Sequence, residues 1–334
     1  MSKILMTMNE ETWSTHGDHF AVTYRVDEHD CLDCAAGLEA LGHDVFFVNW
    51  NDLGGQQFGR MFYSNGRRFV EPVPLEDMDL IWVYQMEGFY SDRTRFLQMV
   101  DIFEDACALV INDPRTIRHN LGKTYLWELQ RRGVRVIPTY RVDETIVRRI
   151  GSGEPCVLKP VFGERGNGVI LARTPADLDR NGCDWGHQFI AQDYMPSVRN
   201  GEKSLVFLGH RYHHAVIKRP CPGDPDEFRC NESRGGTVAV YEPTASELAY
   251  AEKVLRVYAS LGCPVHFSRV DFIDSDKGPV LMEAELLNPA AFANYSGKGR
   301  LFGRKVAEYL DRLIAAQEVF RPRAQGCGAP ALSS

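Results

Sequence analysis

Glu283 and Glu285 stand two residues apart in the run GPVLMEAELLNP at 278–289. Alternate residues of a strand face the same side, so these two carboxylates would project together while Val280, Met282, Ala284 and Leu286 pack the opposite face. Carboxylates that close repel one another unless a cation lies between them. Asp271 lies in the preceding apolar run VDFI, and DSDKG at 274–278 reads as the turn of a hairpin. Three oxygen-bearing side chains are then expected to meet at one point. Oxygen ligands with no nearby His or Cys favour Mg2+ or Mn2+ over zinc, and Mg2+ held by few carboxylates usually also holds phosphate. A strand whose acids point into water has the same pattern, so the rest of the chain must decide between the two.

Lys159 ends the strand-like run VLKPVF and is followed by the glycine-rich GERGNG at 163–168. Glycines such as Gly163, Gly166 and Gly168 allow positive φ and close approach to a ligand, so successive N–H groups can cradle phosphate oxygens. The run lacks the Lys-Ser/Thr ending of a Walker loop and the spacing of a dinucleotide fingerprint, and a plain hairpin turn beside a surface lysine reads the same. Lys123, in RHNLGK at 118–123, offers a second cation or a solvated helical lysine. In EFRCNESRGG at 227–236, Arg229 could stabilise charge growing on a transferred phosphoryl group or an acyl oxygen, and Asn231 could bind a second metal ion. An ordinary loop with two solvated polar groups is the alternative.

These groups need a scaffold, and 334 residues with 44% hydrophobic content can bury a core divided among two or three subdomains. A net charge of −7 without an outweighing basic stretch argues against nucleic-acid binding. No apolar run reaches the roughly twenty residues of a membrane span, and the start is too short for a signal peptide, so a cytoplasmic location is expected. Nine scattered cysteines fit reduced thiols. Cys31 and Cys34 form a CxxC with no second pair at zinc spacing and read as packing thiols. Strand patterns at 3–8, 44–48, 79–84 and 108–112, with a helix at 31–41 stopped by Gly42, suggest an open α/β domain over 1–115. A helix at 116–132 and strands at 134–138, 156–160, 169–172 and 188–194 make a central unit over 116–196. Long strands, a helix at 246–261 with a Thr244/Glu247 capping box, the carboxylate hairpin and a helix at 302–317 fill 197–320. Internal repeats are not seen, and the tail 321–334 is expected to be disordered.

The order of these motifs, with a lysine, a lysine and glycine turn, Arg-x-Asn-x-x-x-Gly-Gly, then Asp and Glu-x-Glu, resembles the ATP-grasp ligases over roughly residues 111–290. FRCNESRGG at 228–236 is similar to the motif of the glutathione synthetase and ribosomal-protein glutamate ligase branch. The segments NDPRTIRHNLGKTYLWEL, GEKSLVFLGHRYHHAVIKRP and MEAELLNPAAF resemble bacterial D-cycloserine-ligase-like enzymes more closely still. The resemblance implies an α/β (α+β) three-subdomain ATP-grasp fold with an N-terminal open parallel α/β domain. It implies that Lys123 and Lys159 contact ATP phosphates under a lid at 163–168, that the backbone of Gln192, Asp193, Tyr194 and Met195 reads the adenine, and that Glu202 bonds the ribose. Asp271, Glu283 and Glu285 would hold Mg2+ (or Mn2+), with Asn231 a further ligand. Arg229, with Lys159, would serve the acyl phosphate.

Two departures stand out: Ser204 occupies a position where many members carry arginine, and Glu285 one where many carry asparagine. The implied activity is ATP-dependent carboxylate–amine ligation through an acyl phosphate on a small amino-acid-like substrate, releasing ADP and phosphate, in specialised metabolite or peptide biosynthesis. Intramolecular ring closure is a variant, and a non-catalytic ATP-binding module is the alternative from another class. Partners would be a small carboxylate and an amine, with no nucleic acid or membrane, and a homodimer is common among such ligases. Substrate contacts are expected from the loop at 9–20, with Trp13, His16 and His19, and from the segment 85–95. Lys298 and Arg300 could pair with a substrate carboxylate or form a solvated turn, and His213-His214 reads as strand.

Overall fold

In the computed structural model, residues 1–8, 14–16, 19–21, 29–54, 57–86, 88–106, 108–179, 188–295, 297 and 299–320 are described. The strands β1 (Lys3–Met8), β2 (Asp44–Asn49), β3 (Met61–Tyr63), β4 (Arg68–Val70), β5 (Leu80–Trp82) and β6 (Leu109–Ile111) form one sheet in the order β6-β5-β1-β2-β3-β4. The part β6-β5-β1-β2 is parallel. A parallel sheet is covered on both faces, which is why β1 and β2 read as nearly unbroken apolar runs. The hairpin β3–β4 extends it antiparallel, and its three-residue strands were too short to stand out in the sequence.

Helix α1 (His29–Ala40) buries Cys31, Cys34, Ala35 and Leu38 against this sheet, the spacing of one helical face. Both cysteines are fully buried, as packing thiols should be. Helix α2 (Arg93–Asp105) is capped by the Asp92 carboxylate, which accepts the Arg95 N–H, and covers the opposite face through Phe96, Met99, Val100 and Phe103.

The expected single helix at 116–132 is two, α3 (Pro114–Asn120) and α4 (Tyr125–Arg131). Between them the Lys123 N–H donates to the Val161 carbonyl at 2.9 Å instead of to a helical carbonyl. The break thus exchanges helical hydrogen bonds for a contact with the lysine–glycine turn. Helix α5 (Glu144–Gly151) then packs on an antiparallel sheet of β7 (Thr139–Arg141), β8 (Cys156–Pro160), β9 (Ile170–Ala172) and β10 (Phe189–Asp193), ordered β7-β10-β8-β9. The expected strand at 134–138 does not join that sheet. It runs beside the carboxylate hairpin, with Ile137 N–H donating to Leu281 O at 2.9 Å and Leu281 N–H to Arg135 O at 2.8 Å.

The third sheet takes β11 (Glu202–Leu208), β12 (Arg211–Arg219), β13 (Thr237–Tyr241), β14 (Phe267–Ser275) and β15 (Gly278–Glu285) in the order β13-β12-β11-β14-β15, all antiparallel. One face packs on α4 and on α6 (Ala245–Ser260), whose Ala251, Val254, Leu255 and Tyr258 meet Leu205, Phe207, Val270 and Phe272. The Thr244/Glu247 capping box that starts α6 is formed, a feature worth about 1 kcal/mol.

Each of the three main cores crosses a boundary expected at 115/116 or 196/197. Helix α7 (Gly299–Phe320), longer than anticipated, lies against α1 and joins the core of the first sheet, together with Val206, Leu208 and Phe267 of the third. At that crossing Gly303 meets the backbone of Asp33 so closely that a Cβ would lie 2.1 Å from the Asp33 carbonyl oxygen. Asn112 stitches the same junction. Its Nδ2 donates to Phe267 O and Leu286 O, and its Oδ1 accepts from the N–H groups of His266 and Phe267. Among the described residues no helix is long and apolar enough to cross a membrane.

Candidate active site

The uncovered face of the third sheet and the end of the second enclose a cleft of about 1010 Å3, measured with its open mouth. One end is apolar, walled by Ile137, Val157, Met195, Phe228, Ile273 and Met282. The other is charged and holds Lys123, Lys159, Glu283, Glu285, Arg269 and Asp271. Gly163, Gly166, Gln192, Asp193, Tyr194, Glu202, Arg229 and Asn231 also line it. Of the residues singled out in the sequence, Gly168 lies outside this lining, with a positive φ of 68° and Pro160 against its Cα. Arg300 is exposed in the first turn of α7 and does not line the cleft, and Lys298 lies outside the described residues.

A β-bulge explains why strict alternation misplaces part of β15. Asp271 pairs with Glu283 but Phe272 pairs with Leu281, leaving Met282 as the extra residue. Met282 therefore lines the cleft beside Glu283 instead of packing the far face, and Val280 joins it in the apolar cluster with Ile137, Val198 and Ile273. Ala284 and Leu286 keep the expected burial, and the bulge brings Leu281, which alternation put on the face of the acids, into the same core with α4 and α6.

The three acids line the same cleft, and each has its own partners there. Asp271, 1% exposed, is gripped by Arg269, whose Nε lies 2.9 Å from Oδ1 and whose Nη2 lies 2.9 Å from Oδ2. Burial would raise the Asp271 carboxyl, yet the charges of Arg269 and Lys218 hold it far below the usual carboxylate range. Glu283 instead faces Lys123, 3.2 Å away, and burial again loses to cations, here Lys123 and Lys159, so its pKa is lowered. Glu285 accepts the N–H groups of Leu287 and Asn288 at 3.2 and 3.0 Å, and burial together with the Glu283 charge raises its pKa. Among the described residues no three of His, Cys, Asp and Glu are grouped to hold a metal ion. The three acids expected to meet at one point thus line the same cleft, each with partners of its own: Arg269 and Lys218 for Asp271, Lys123 for Glu283 and backbone N–H groups for Glu285.

Arg269 and Lys218 were missed in the sequence. Arg269 sits two residues before Asp271 on one strand face, a spacing that could have flagged it. Lys218 had no such signal, since only the β11–β12 register places it opposite Glu202, to which it donates a hydrogen bond. It also lies 3.6 Å from Asp271. Ser204, where many ATP-grasp ligases carry arginine, pairs directly with Asp271 across β11 and β14. Burial pushes the Lys159 ammonium below the ordinary lysine value, with the Glu283 charge opposing it.

Glu202 is buried and engaged by Lys218. Gln192, 1% exposed, donates its Nε2 to Thr139 Oγ1, and Asp193 holds Arg149 at 2.8 Å, so these side chains brace the strand whose backbone turns into the cleft at Tyr194 and Met195. Cys230 beside them is pushed up to about 12 by burial and is inert as a thiol.

The glycine loop is folded over the charged end. Lys123 Nζ donates to Gly163 O at 2.7 Å, Arg229 Nη1 to Val169 O at 3.2 Å, and Arg234 Nη2 to Gly166 O at 3.2 Å. Gly166 has φ +68° and its Cα is so close to Asn231 that an added Cβ would lie 2.6 Å from Oδ1. Arg229 is also clasped by Glu227, whose carboxyl the hydrogen bonds from Arg229 hold down to about 2. The guanidinium expected to face reacting atoms is thus shared between Glu227 and the loop. His213 and His214 lie on β12 against Phe302, away from the cleft lining. Trp13 lies outside the described residues, and the side chains of His16 and His19 are likewise not described.

Comparison with known proteins adds an independent line. Residues 128–291 match the RimK-like ATP-grasp domain. The chain is 29% identical over 195 residues to a glutathione synthetase of Agrobacterium fabrum, covering 55% of this chain and 58% of that protein. It is 25% identical over 177 residues to a probable alpha-L-glutamate ligase of Chromohalobacter salexigens, covering 52% and 56%. The alignments thus span little more than half the length of these curated relatives. In fold it is similar to the D-cycloserine synthetase DcsG, with a TM-score of 0.73 at 20% identity over 93% of this chain and 99% of that one. It is also similar to a Bacillus anthracis D-alanine–D-alanine ligase, with a TM-score of 0.60 at 14% identity over 95% and 99%.

Proposed function

We propose, from the premise that this chain is a member of the ATP-grasp family, that it joins a small amino-acid-like carboxylate to an amine, driven by conversion of ATP to ADP and phosphate. The observation that carries the reading is the two-ended cleft under the glycine loop, apolar where a purine would lie and cationic where phosphates would lie. Ile137, Met195, Phe228 and Met282 would hold the base against the backbone of Tyr194 and Met195. Lys123 and Lys159 would bind phosphate oxygens. Glu283 and Glu285 are the carboxylates placed to receive a divalent cation, Mg2+ in this reading, arriving on the nucleotide, and that cation would neutralise the γ-phosphate when bound.

With the phosphate charge offset, a substrate carboxylate attacks the γ-phosphorus, its oxygen forming the new P–O bond as ADP leaves. An amine then attacks the acyl carbon, and phosphate leaves with the oxygen that had attacked. Arg269 and Arg229 lie at the charged end, where donors stabilise developing oxyanion charge. The glycine loop excludes water that would hydrolyse the activated acid. The test is ADP release against pairs of amino acids, with heavy oxygen in the carboxylate. Label must appear in phosphate, and its absence from phosphate in a productive reaction would refute this chemistry. With a single amino acid and no added amine, a product of the amino acid's mass less one water would assign ring closure and a dipeptide would assign self-ligation, the first a variant made relevant by the likeness in fold to DcsG. Lys159→Ala should weaken ATP binding at least tenfold by titration calorimetry, since it removes one of two phosphate cations.

A further inference from the structure

Glu164, within the glycine loop, was not singled out in the sequence, yet its carboxylate is the meeting point of three parts of the molecule. Its Oε1 accepts the N–H of Gly88, from the segment that follows β5 of the first sheet, at 2.9 Å. Its Oε2 accepts Nδ2 of Asn288, just beyond β15, at 3.3 Å. The other end of that amide, Asn288 Oδ1, accepts the N–H of Met86 at 3.4 Å, and the Asn288 N–H donates to Glu285 at 3.0 Å. The bonds therefore form a circuit from loop to first sheet to carboxylate strand and back. A second contact joins the same two bodies, with the Arg93 guanidinium 4.2 Å above the Phe162 ring.

A carboxylate in a loop that covers phosphates is electrostatically unfavourable if it points at them. Glu164 lines the cleft, and its carboxylate is held there by N–H donors on other elements, which can be reached only while the loop is down.

We propose that Glu164 is a positioning residue that couples closure of the glycine loop to the placement of Met86 and Gly88 and of the Glu285–Asn288 turn. The segment after β5 is then joined to the loop and to the carboxylate strand only when the loop is closed. The kinetic consequence rests on the ligase reading, whereas the coupling itself does not. Hydrogen exchange on the full chain, with and without Mg2+ and a non-hydrolysable ATP analogue, measures it. In Glu164→Ala the peptide over 85–92 should exchange at least tenfold faster than in the wild type, while the Val83 amide, bonded to Ile111 O at 2.7 Å, is unchanged. Glu164→Gln should fall between the two, because its carbonyl oxygen still accepts from Gly88 while its amide meets the Asn288 amide donor to donor.

No change at 85–92 in Glu164→Ala, or an equal rise at Val83, would overturn the coupling. On any acid–amine pair that yields ADP, Glu164→Ala should lower kcat at least tenfold with KM for ATP moved less than threefold, and a KM rise at unchanged kcat would overturn it. Failure of the wild type to bind the analogue or to form ADP would count against the ligase reading alone, since exchange in the free protein still decides the coupling.

Discussion

Asp271 and Glu283 face each other across β14 and β15, and each is paired with its own cation, Arg269 for one and Lys123 for the other. Residue types announced the acids, but their partners came from strand register and from the helix break at 121–124. The same holds for Arg229, legible as a functional cation, whose clasp by Glu227 was not. That clasp has a pH signature. The Glu227 carboxyl is held near about 2, below its ordinary 4.5, by hydrogen bonds from Arg229, so the folded state keeps it ionised where the unfolded chain would protonate it. Its stabilising contribution is complete above about pH 4.5 and is lost as pH falls through about 2. Thermal unfolding should show Glu227→Gln less stable than the wild type at about pH 6, with the gap closing toward about pH 3. A gap independent of pH would contradict the assignment.

At the scale of the element, hydrophobic period and caps were strong guides. The α6 capping box, the stop of α1 at Gly42 and the strand at Cys156–Pro160 are where the sequence put them, because each is set by residues within one turn or one strand. Elements that depend on a distant partner were misread. The segment at 134–138 has the composition of a strand for any sheet, and only the approach of Leu281 settles which one. The bulge at Met282 leaves no mark in an alternating pattern, yet it moves a side chain from core to cleft. The glycine loop was legible as a turn, and its folded state gives a prediction. Gly166→Ala adds a Cβ at φ +68°, a left-handed conformation costing roughly 1–2 kcal/mol for other residues, and drives it onto Asn231 Oδ1. ATP affinity should fall about tenfold, equivalent to about 1.4 kcal/mol, with the fold intact by circular dichroism.

Across the whole molecule, sequential units do not coincide with packed ones. Helix α7 crosses α1 at Gly303, and Gly303→Ala would force a methyl into the Asp33 carbonyl, so overpacking should lower stability by about 1–3 kcal/mol or more in denaturant unfolding. Because α7 and the ends of β11 and β14 share the first sheet's core, that loss should appear in a single transition. The resemblance to the ATP-grasp ligases, the two lysines, the acidic hairpin and the glycine turn were all legible in the sequence alone, since each rests on residue types at short spacing. Only the tertiary structure decided that Arg269 and Lys218 neutralise the acids, that Met282 lines the cleft, and that Glu164 joins three bodies. Those facts depend on strand register, a bulge and loop closure, which bring together groups up to 202 residues apart, such as Met86 and Asn288, and no local pattern encodes that distance.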